Sequence, residues 1–304
     1  MSEVLLEANQ LSKNYAGHQA VTDFSLSIKR GEICALLGQN GAGKSSILRM
    51  LTGIFLPDTG SVKLYTQRKL GYLPEERGLY PNMTVQEQLE YIAQLRGLSA
   101  KEAREKAANE LTEIGLQTWK NKQVKQLSKG MQQKVQILAT ILHEPELLIL
   151  DEPFSGLDPV SLELVCKLFN KLKQQGAGIL ISTHEMKVAE SVSDSLCLLK
   201  AGKVVWSGKT ENLKAHFGQN TYHVSFKSDS ETPTSWTESL KALMKNSRQL
   251  YVNGADALLR HYEIEFEPTA SLSEIVSMLA NNYALQKFEH YSPDLEEAFK
   301  RLTA

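Results

Sequence analysis

Eight consecutive residues, Gly38-Gln39-Asn40-Gly41-Ala42-Gly43-Lys44-Ser45, have the composition and spacing to hold a chain of phosphates. Glycines let a backbone curl around an anion so that its N–H groups point inward, and a helix N-terminus behind them adds partial positive charge. The order GxxxxGK[ST] supplies a lysine ammonium for the β- and γ-phosphates and a hydroxyl for Mg²⁺. These are Lys44 and Ser45, with Ser46 completing the run. A second chemical group, Asp151-Glu152, follows four apolar residues, Leu147 to Leu150. An acid at the end of a buried strand beside a phosphate loop is where Mg²⁺ finds a protein ligand, and a neighbouring carboxylate can polarise an attacking water. Asp151 is read in the first role and Glu152 in the second; alone, Asp-Glu before Pro153 could simply end a strand.

A phosphate loop needs a strand before it and a helix after it. Ile33 to Leu37 provides the strand, and Ile47, Leu48, Met50 and Leu51 keep helical spacing behind it. Leu147 to Leu150 and Ile179 to Ile181 are further short apolar runs, each followed by a helical pattern, as expected of strands buried on both faces of a mainly parallel sheet. The fold class expected is α/β, of the P-loop kind. Thr84-x-x-Glu87 and Ser99-x-x-Glu102 are capping boxes within a helical subdomain expected at about 78–143. After residue 218 the pattern changes. Tyr222 to Phe226, Leu250 to Val252 and Tyr262 to Phe266 read as strands. Trp236 to Met244, a segment opened by Ser271-x-x-Glu274, and one starting at Ser292-Pro293 read as helices. Residues 219–304 therefore form a second, small α+β unit with a ferredoxin-like pattern, beside a first unit at 1–218.

Composition narrows the function classes. Of 304 residues, 34 are Lys or Arg and 35 are Asp or Glu, so a net charge of −1 offers no excess to neutralise a nucleic-acid backbone. At 42% hydrophobic the chain can build a core. The longest apolar run, Ile33 to Leu37, is far short of the roughly 18 residues a membrane-spanning helix needs. The first residues lack a signal peptide's basic flank and apolar core. Three cysteines without a CxxC pair argue against a disulfide framework or a zinc site and for reduced thiols in the cytoplasm.

Three further motifs complete an ordered set. Leu127-Ser128-Lys129-Gly130-Met131-Gln132-Gln133-Lys134 lies upstream of Asp151, Ser155-Gly156-Leu157-Asp158 lies downstream, and Ser182-Thr183-His184 follows the next strand. From Val4 to Gly218 the chain resembles the nucleotide-binding subunit of an ATP-binding cassette (ABC) transporter. The second unit, ending Ser292-Pro293-Asp294-Leu295-Glu296-Glu297-Ala298-Phe299, resembles the appendage of exporter ATPases of the sodium-extrusion type, whose permease is a separate polypeptide.

The resemblance implies that two copies pair head to tail around two Mg-ATP, on the cytoplasmic face of a membrane holding the permease. It assigns Gly38, Asn40, Gly41, Ala42, Gly43, Lys44, Ser45 and Ser46 to the phosphates, and Tyr15, with Val21 close by, to the adenine end. Ser128 and Gly130 would reach the γ-phosphate of the partner's ATP, His184 would sense that phosphate, and Asp158 would help fix the partner. Lys44, Glu152 and His184 form the catalytic group, and Ser45, Asp151 and Glu75 the Mg²⁺ shell. Three residues depart from the family pattern. Lys129 and Met131 replace a glycine and a glutamine of the signature, and Glu75 stands where the family carries a glutamine. Lys129 either adds attraction for the partner's phosphates or points into solvent. A rival reading is a soluble cassette ATPase acting on DNA or ribosomes. Only 84 residues separate Lys44 from Ser128, with no heptads for a coiled coil, and there is one cassette, not two. Retention of both Asp151 and Glu152 argues against a regulator that does not hydrolyse.

Overall fold

A computed structural model of the protein describes residues 3–303 except 67–69, 77, 219, 228–235 and 251–258. The chain divides into two compact units, Met1–Thr210 and Glu211–Leu302. The first opens with antiparallel strands β1 (Val4–Tyr15) and β2 (His18–Lys29). Ala16 and Gly17 between them both have positive φ, 47° and 87°, the combination a tight hairpin turn demands. After β3 (Ile33–Gly38) and α1 (Lys44–Leu51), β4 (Thr59–Leu64) pairs with the other edge of β1. This three-stranded sheet has no counterpart in the sequence reading. Its register shifts between Ala8 and Leu11, where Gln10 has φ of 51°, so the apolar residues of β1 do not keep a period of two.

The main sheet has six strands in the order β5-β6-β7-β3-β8-β9. Its remaining members are β5 (Leu70–Leu73), β6 (Leu147–Asp151), β7 (Gly178–Thr183), β8 (Ser195–Lys200) and β9 (Lys203–Lys209). All neighbours are parallel except the pair β8 and β9. β3, β6 and β7 are buried along their whole length, because the sheet is covered on both faces. On one face Leu147, Ile149 and Leu180 pack with α1 residues Ile47 and Leu48 and with Leu6 and Phe24 of the antiparallel sheet. On the other, Leu148, Leu150 and Ile179 pack with α5 (Pro159–Gln174) and with helices inserted between β5 and β6. The insertion holds α2 (Val85–Leu95), α3 (Ala100–Glu113) and α4 (Lys129–Ile141). Both expected capping boxes close. The Glu87 N–H donates to Thr84 Oγ1 at 3.2 Å and the Glu102 N–H to Ser99 Oγ at 3.3 Å. Beyond β7, α6 (Met186–Val192) leads to β8.

The second unit contains α7 (Thr210–Gly218), β10 (Thr221–Lys227), α8 (Glu238–Leu243), β11 (Met244–Leu250), β12 (Leu259–Phe266), α9 (Leu272–Asn282), β13 (Leu285–His290) and α10 (Leu295–Thr303). Its strands are antiparallel in the order β11-β12-β10-β13. From β10 onward the βαββαβ succession with this order is the ferredoxin-like arrangement. Three details differ from the sequence reading. The division falls before α7, not after it. Gly218 ends that helix against the Tyr291 carbonyl, where a Cβ would come within 2.6 Å. The segment expected to be helical from Trp236 to Met244 is helix only over α8, and β11 begins at Met244; Tyr251 and Val252 lie outside the described residues. The last helix starts after Pro293, because the Asp294 carboxylate caps it by accepting the Glu297 N–H at 2.8 Å.

Among the described residues no helix is long and apolar enough to cross a membrane. The three cysteines are unpaired, and burial pushes the Cys34 thiol up to about 12 and raises Cys197 as well. Both stay protonated at neutral pH and are shielded. Mass-spectrometric counting after alkylation of the folded protein at pH 8 should find Cys34 and Cys197 unlabelled until denaturant is added.

Candidate active site

The topology brings the chemistry to the C-terminal ends of the central strands of the main sheet. β3 ends at Gly38 and runs into the phosphate loop, β6 ends at Asp151, and β7 lies between them, pairing Leu37 with Thr183 and Asp151 with Ser182. A cleft of about 290 Å³ opens at these strand ends. Asn40, Gly41, Gly43, Lys44, Ser45 and Ser46 line it from the loop side, and Glu75, Asp151 and Glu152 from the other. With Ala20, one concave site thus gathers residues from four separate stretches of chain.

The loop is held by close backbone contacts. Gly43 has φ of 103°, and a Cβ there would lie 2.6 Å from the Ala20 carbonyl. Only glycine meets both demands. Ala42 is buried as framework, its N–H donating to the Gln39 carbonyl at 3.0 Å and its carbonyl accepting the Gly202 N–H at 3.1 Å. Lys44 Nζ donates to the Gly38 carbonyl at 2.8 Å and stands 3.6 Å from Glu152 Oε1. Both charges are nearly buried, where their attraction is less screened than in water.

Glu152 is a non-glycine residue with φ of 47°. Such a backbone costs about 1–3 kcal/mol and persists only where the surroundings over-determine it. Here its N–H donates to the Ser182 carbonyl at 3.0 Å, and its own carbonyl accepts the Ser155 N–H at 3.2 Å and Gln133 Nε2 at 3.4 Å. Its Oε1 also meets His184 Nδ1 at 3.0 Å. Ser182 Oγ donates to Asp151 Oδ1 and accepts the Glu152 N–H at 3.3 Å. Ser182 and Gln133 were not singled out from the sequence. Ser182 carried a signal: a hydroxyl at the end of a buried apolar strand requires a partner.

The other expected residues fall in different places. Tyr15 does not line the cleft; its exposed ring sits edge-on to Phe55, with centroids 6.4 Å apart. Val21 has no exposed surface, because it packs into the core under the loop, and its neighbour Ala20 lines the cleft instead. Ser128 caps α4, accepting the Met131 N–H at 3.3 Å, and is exposed beside Lys129. Gly130 lies against the Gly156 carbonyl, where a Cβ would come within 2.7 Å. Asp158 caps α5, accepting from the Val160 and Ser161 N–H groups at 3.1 and 3.0 Å and from Ser161 Oγ at 2.8 Å. Those bonds hold its carboxyl below the usual range.

Known proteins resemble this chain in sequence and fold. The sequence profile of the ABC transporter family matches residues 21–155. The chain is 37% identical over 303 residues to the Bacillus subtilis (strain 168) "Uncharacterized ABC transporter ATP-binding protein YhaQ", covering 97% of each chain. It belongs to the ABC transporter ATP-binding subunits. A solved "Structure of ATP binding subunit of ABC transporter" matches with a TM-score of 0.66 and 36% identity over 70% of this chain and 93% of that one. Another Bacillus subtilis protein, "Linearmycin resistance ATP-binding protein LnrL", is 29% identical over 98% of both chains. As in its family, this subunit binds ATP and is an ATPase whose hydrolysis is coupled to transport, and such subunits work as dimers with a membrane permease. The geometry of the loop makes one substitution decisive. Gly43→Ala should abolish ATP binding in calorimetry, since its Cβ meets Ala20; ATP binding at wild-type affinity would show that the loop tolerates it.

Proposed function

We propose that this chain is the ATPase of an exporter. Two copies close head to tail around two ATP on the cytoplasmic face of a membrane, and closing and reopening drive a separate permease. The observation carrying this reading is the single cleft in which Lys44 and Ser45 face Asp151 and Glu152. Among the described residues no three His, Cys, Asp or Glu side chains group to hold a metal. Mg²⁺ characteristically takes one or two carboxylates together with phosphate oxygens, so Ser45, Asp151 and Glu75 suit a metal that arrives with its nucleotide. When bound, Mg²⁺ supplies charge neutralisation at the phosphates.

The chain's own residues do the rest by positioning and electrostatics. Loop N–H groups and Lys44 hold the phosphates, and the Gly43–Lys44 helix start adds its dipole. Glu152 is the base that orients or deprotonates the water. Both of its contacts, to Lys44 and His184, fall on Oε1, which leaves Oε2 for that water. His184 links the γ-phosphate position to Glu152. Ser128 and Gly130 at the start of α4 complete the partner's site, and Asp158 steadies the interface beside it. The adenine lies on Tyr15. Tyr80 and Tyr91, edge to face at 5.8 Å and both exposed, and Leu95, 67% exposed, form an apolar surface downstream of Glu75 that suits a permease segment. Export is the direction that fits a relative named for resistance and the resemblance of the second unit.

Glu152→Gln should keep ATP binding while hydrolysis falls about 10²–10⁴-fold, the usual contribution of a positioned base, and with ATP it should accumulate as a dimer in size-exclusion chromatography. Phosphate release at the wild-type rate would remove Glu152 from the role. Lys44→Ala should weaken ATP binding itself, measured by calorimetry. Purification from detergent-solubilised membranes should bring down one integral-membrane protein; recovery with ribosomes instead would favour the soluble reading.

A further inference from the structure

Two glutamines on α4 face the two loops that carry carboxylates into the cleft. Gln133 Nε2 donates to the carbonyls of Glu152 and Pro153, at 3.4 and 3.1 Å. Three residues later, Gln136 Nε2 donates to the carbonyls of Pro74 and Glu76, at 3.1 and 3.2 Å, one on either side of Glu75. Both side chains are buried. The spacing has a geometric reason. Residues three apart on a helix lie on one face about 4.5 Å apart along its axis. β5 and β6 are parallel neighbours with Leu73 opposite Leu150, so the chain ends leaving them are about 4.8 Å apart. One rigid helix thus grips two adjacent strand ends with one amide each.

Gln136 is a poor choice if its task is only to fill space. Its Oε1 is buried with no hydrogen-bond partner, which costs stability. What the residue gains is a forked pair of N–H donors for two carbonyls of the loop that follows β5, beyond the end of its ladder.

We infer that Gln136 is a positioning residue: by holding the Pro74–Glu76 loop it fixes Glu75 at the metal side of the cleft, at a set spacing from Glu152 anchored by Gln133. The inference rests on the reading of Glu75 as part of the Mg²⁺ surroundings. The test compares full-length Gln136→Met, Glu75→Ala and the double variant, each in the slowly hydrolysing Glu152→Gln background. ATP binding is measured by calorimetry across a Mg²⁺ titration, and thermal midpoints are recorded alongside. Gln136→Met keeps the volume, and removal of the orphaned acceptor offsets loss of the two donors, so its thermal midpoint should stay close to that of its parent. The Mg²⁺ concentration for half-maximal binding should rise about tenfold, the lower end of what losing an outer partner costs a metal site. In the Glu75→Ala background Gln136→Met should add nothing. An equal shift with and without Glu75, or no shift in either, overturns the inference. If Gln136→Met does not fold, Gln136→Leu, which removes the donors without adding a charge near Glu75, gives the same comparison. An unchanged Mg²⁺ requirement in Glu75→Ala alone overturns the metal role of Glu75 and the inference with it, yet leaves the ATPase assignment standing.

Discussion

The site depends on what stands between two strands that do not touch. The phosphate loop leaves β3 and the acidic pair leaves β6, and the sheet order inserts β7 between them. Each parallel neighbour adds about 4.8 Å, so the loop backbone and the acids face each other across a gap wide enough for a phosphate group, spanned here by the Lys44 side chain reaching Glu152 at 3.6 Å. The end of β7 fills the floor of that gap. Ser182, fully buried, binds the Asp151 carboxylate with its hydroxyl and the Glu152 N–H with its carbonyl, and the strand then delivers His184 to the Glu152 side chain. A hydrophobic residue at position 182 would keep the backbone bond to the Glu152 amide but take the hydroxyl away from the nearly buried Asp151 carboxylate.

The same economy appears on α4 and α5. Ser128, Gly130 and Asp158 each have a complete local explanation: a helix cap, a close approach to Gly156, and a second cap. These local tasks do not compete with a role toward a partner subunit. A cap fixes the backbone of the first helical turn, and that turn's N–H groups are what an incoming phosphate would meet. Of the two residues that depart from the expected signature, Lys129 is exposed, whereas Met131 gives its backbone N–H to the cap and packs its side chain against the core. The unusual signature therefore leaves the architecture of the turn intact.

Legibility in the sequence followed the physics of each element. Ile33–Leu37, Leu147–Leu150 and Ile179–Ile181 could be read as buried strands because burial on both faces forces an unbroken apolar run. The two capping boxes could be read because their bonds are local. The β1-β2-β4 sheet could not, since bulges at Gln10 and Asp23 scramble the alternation that marks a half-buried strand. Val21 was misplaced for a related reason: proximity to the phosphate loop is a matter of strand packing, and sequence distance does not say which of Ala20 and Val21 faces inward. Gln136 left no trace, and Gln133 stood inside the Leu127–Lys134 motif with no role of its own, because a side chain that binds distant backbone carbonyls has no local pattern to betray it.

Glu152 shows why such distant bonds matter for chemistry. Its left-handed backbone is unfavourable by itself, so an isolated loop with this sequence would relax away from it. Three elements prevent that, β7 through Ser182, α4 through Gln133, and the turn to Ser155. With its backbone pinned from three sides and its side chain between Lys44 and His184, the carboxylate has little left to reorganise when a phosphate arrives. A base that must act in a crowded, charged site gains most from that kind of preorganisation, because freedom given up in folding need not be given up again in the reaction.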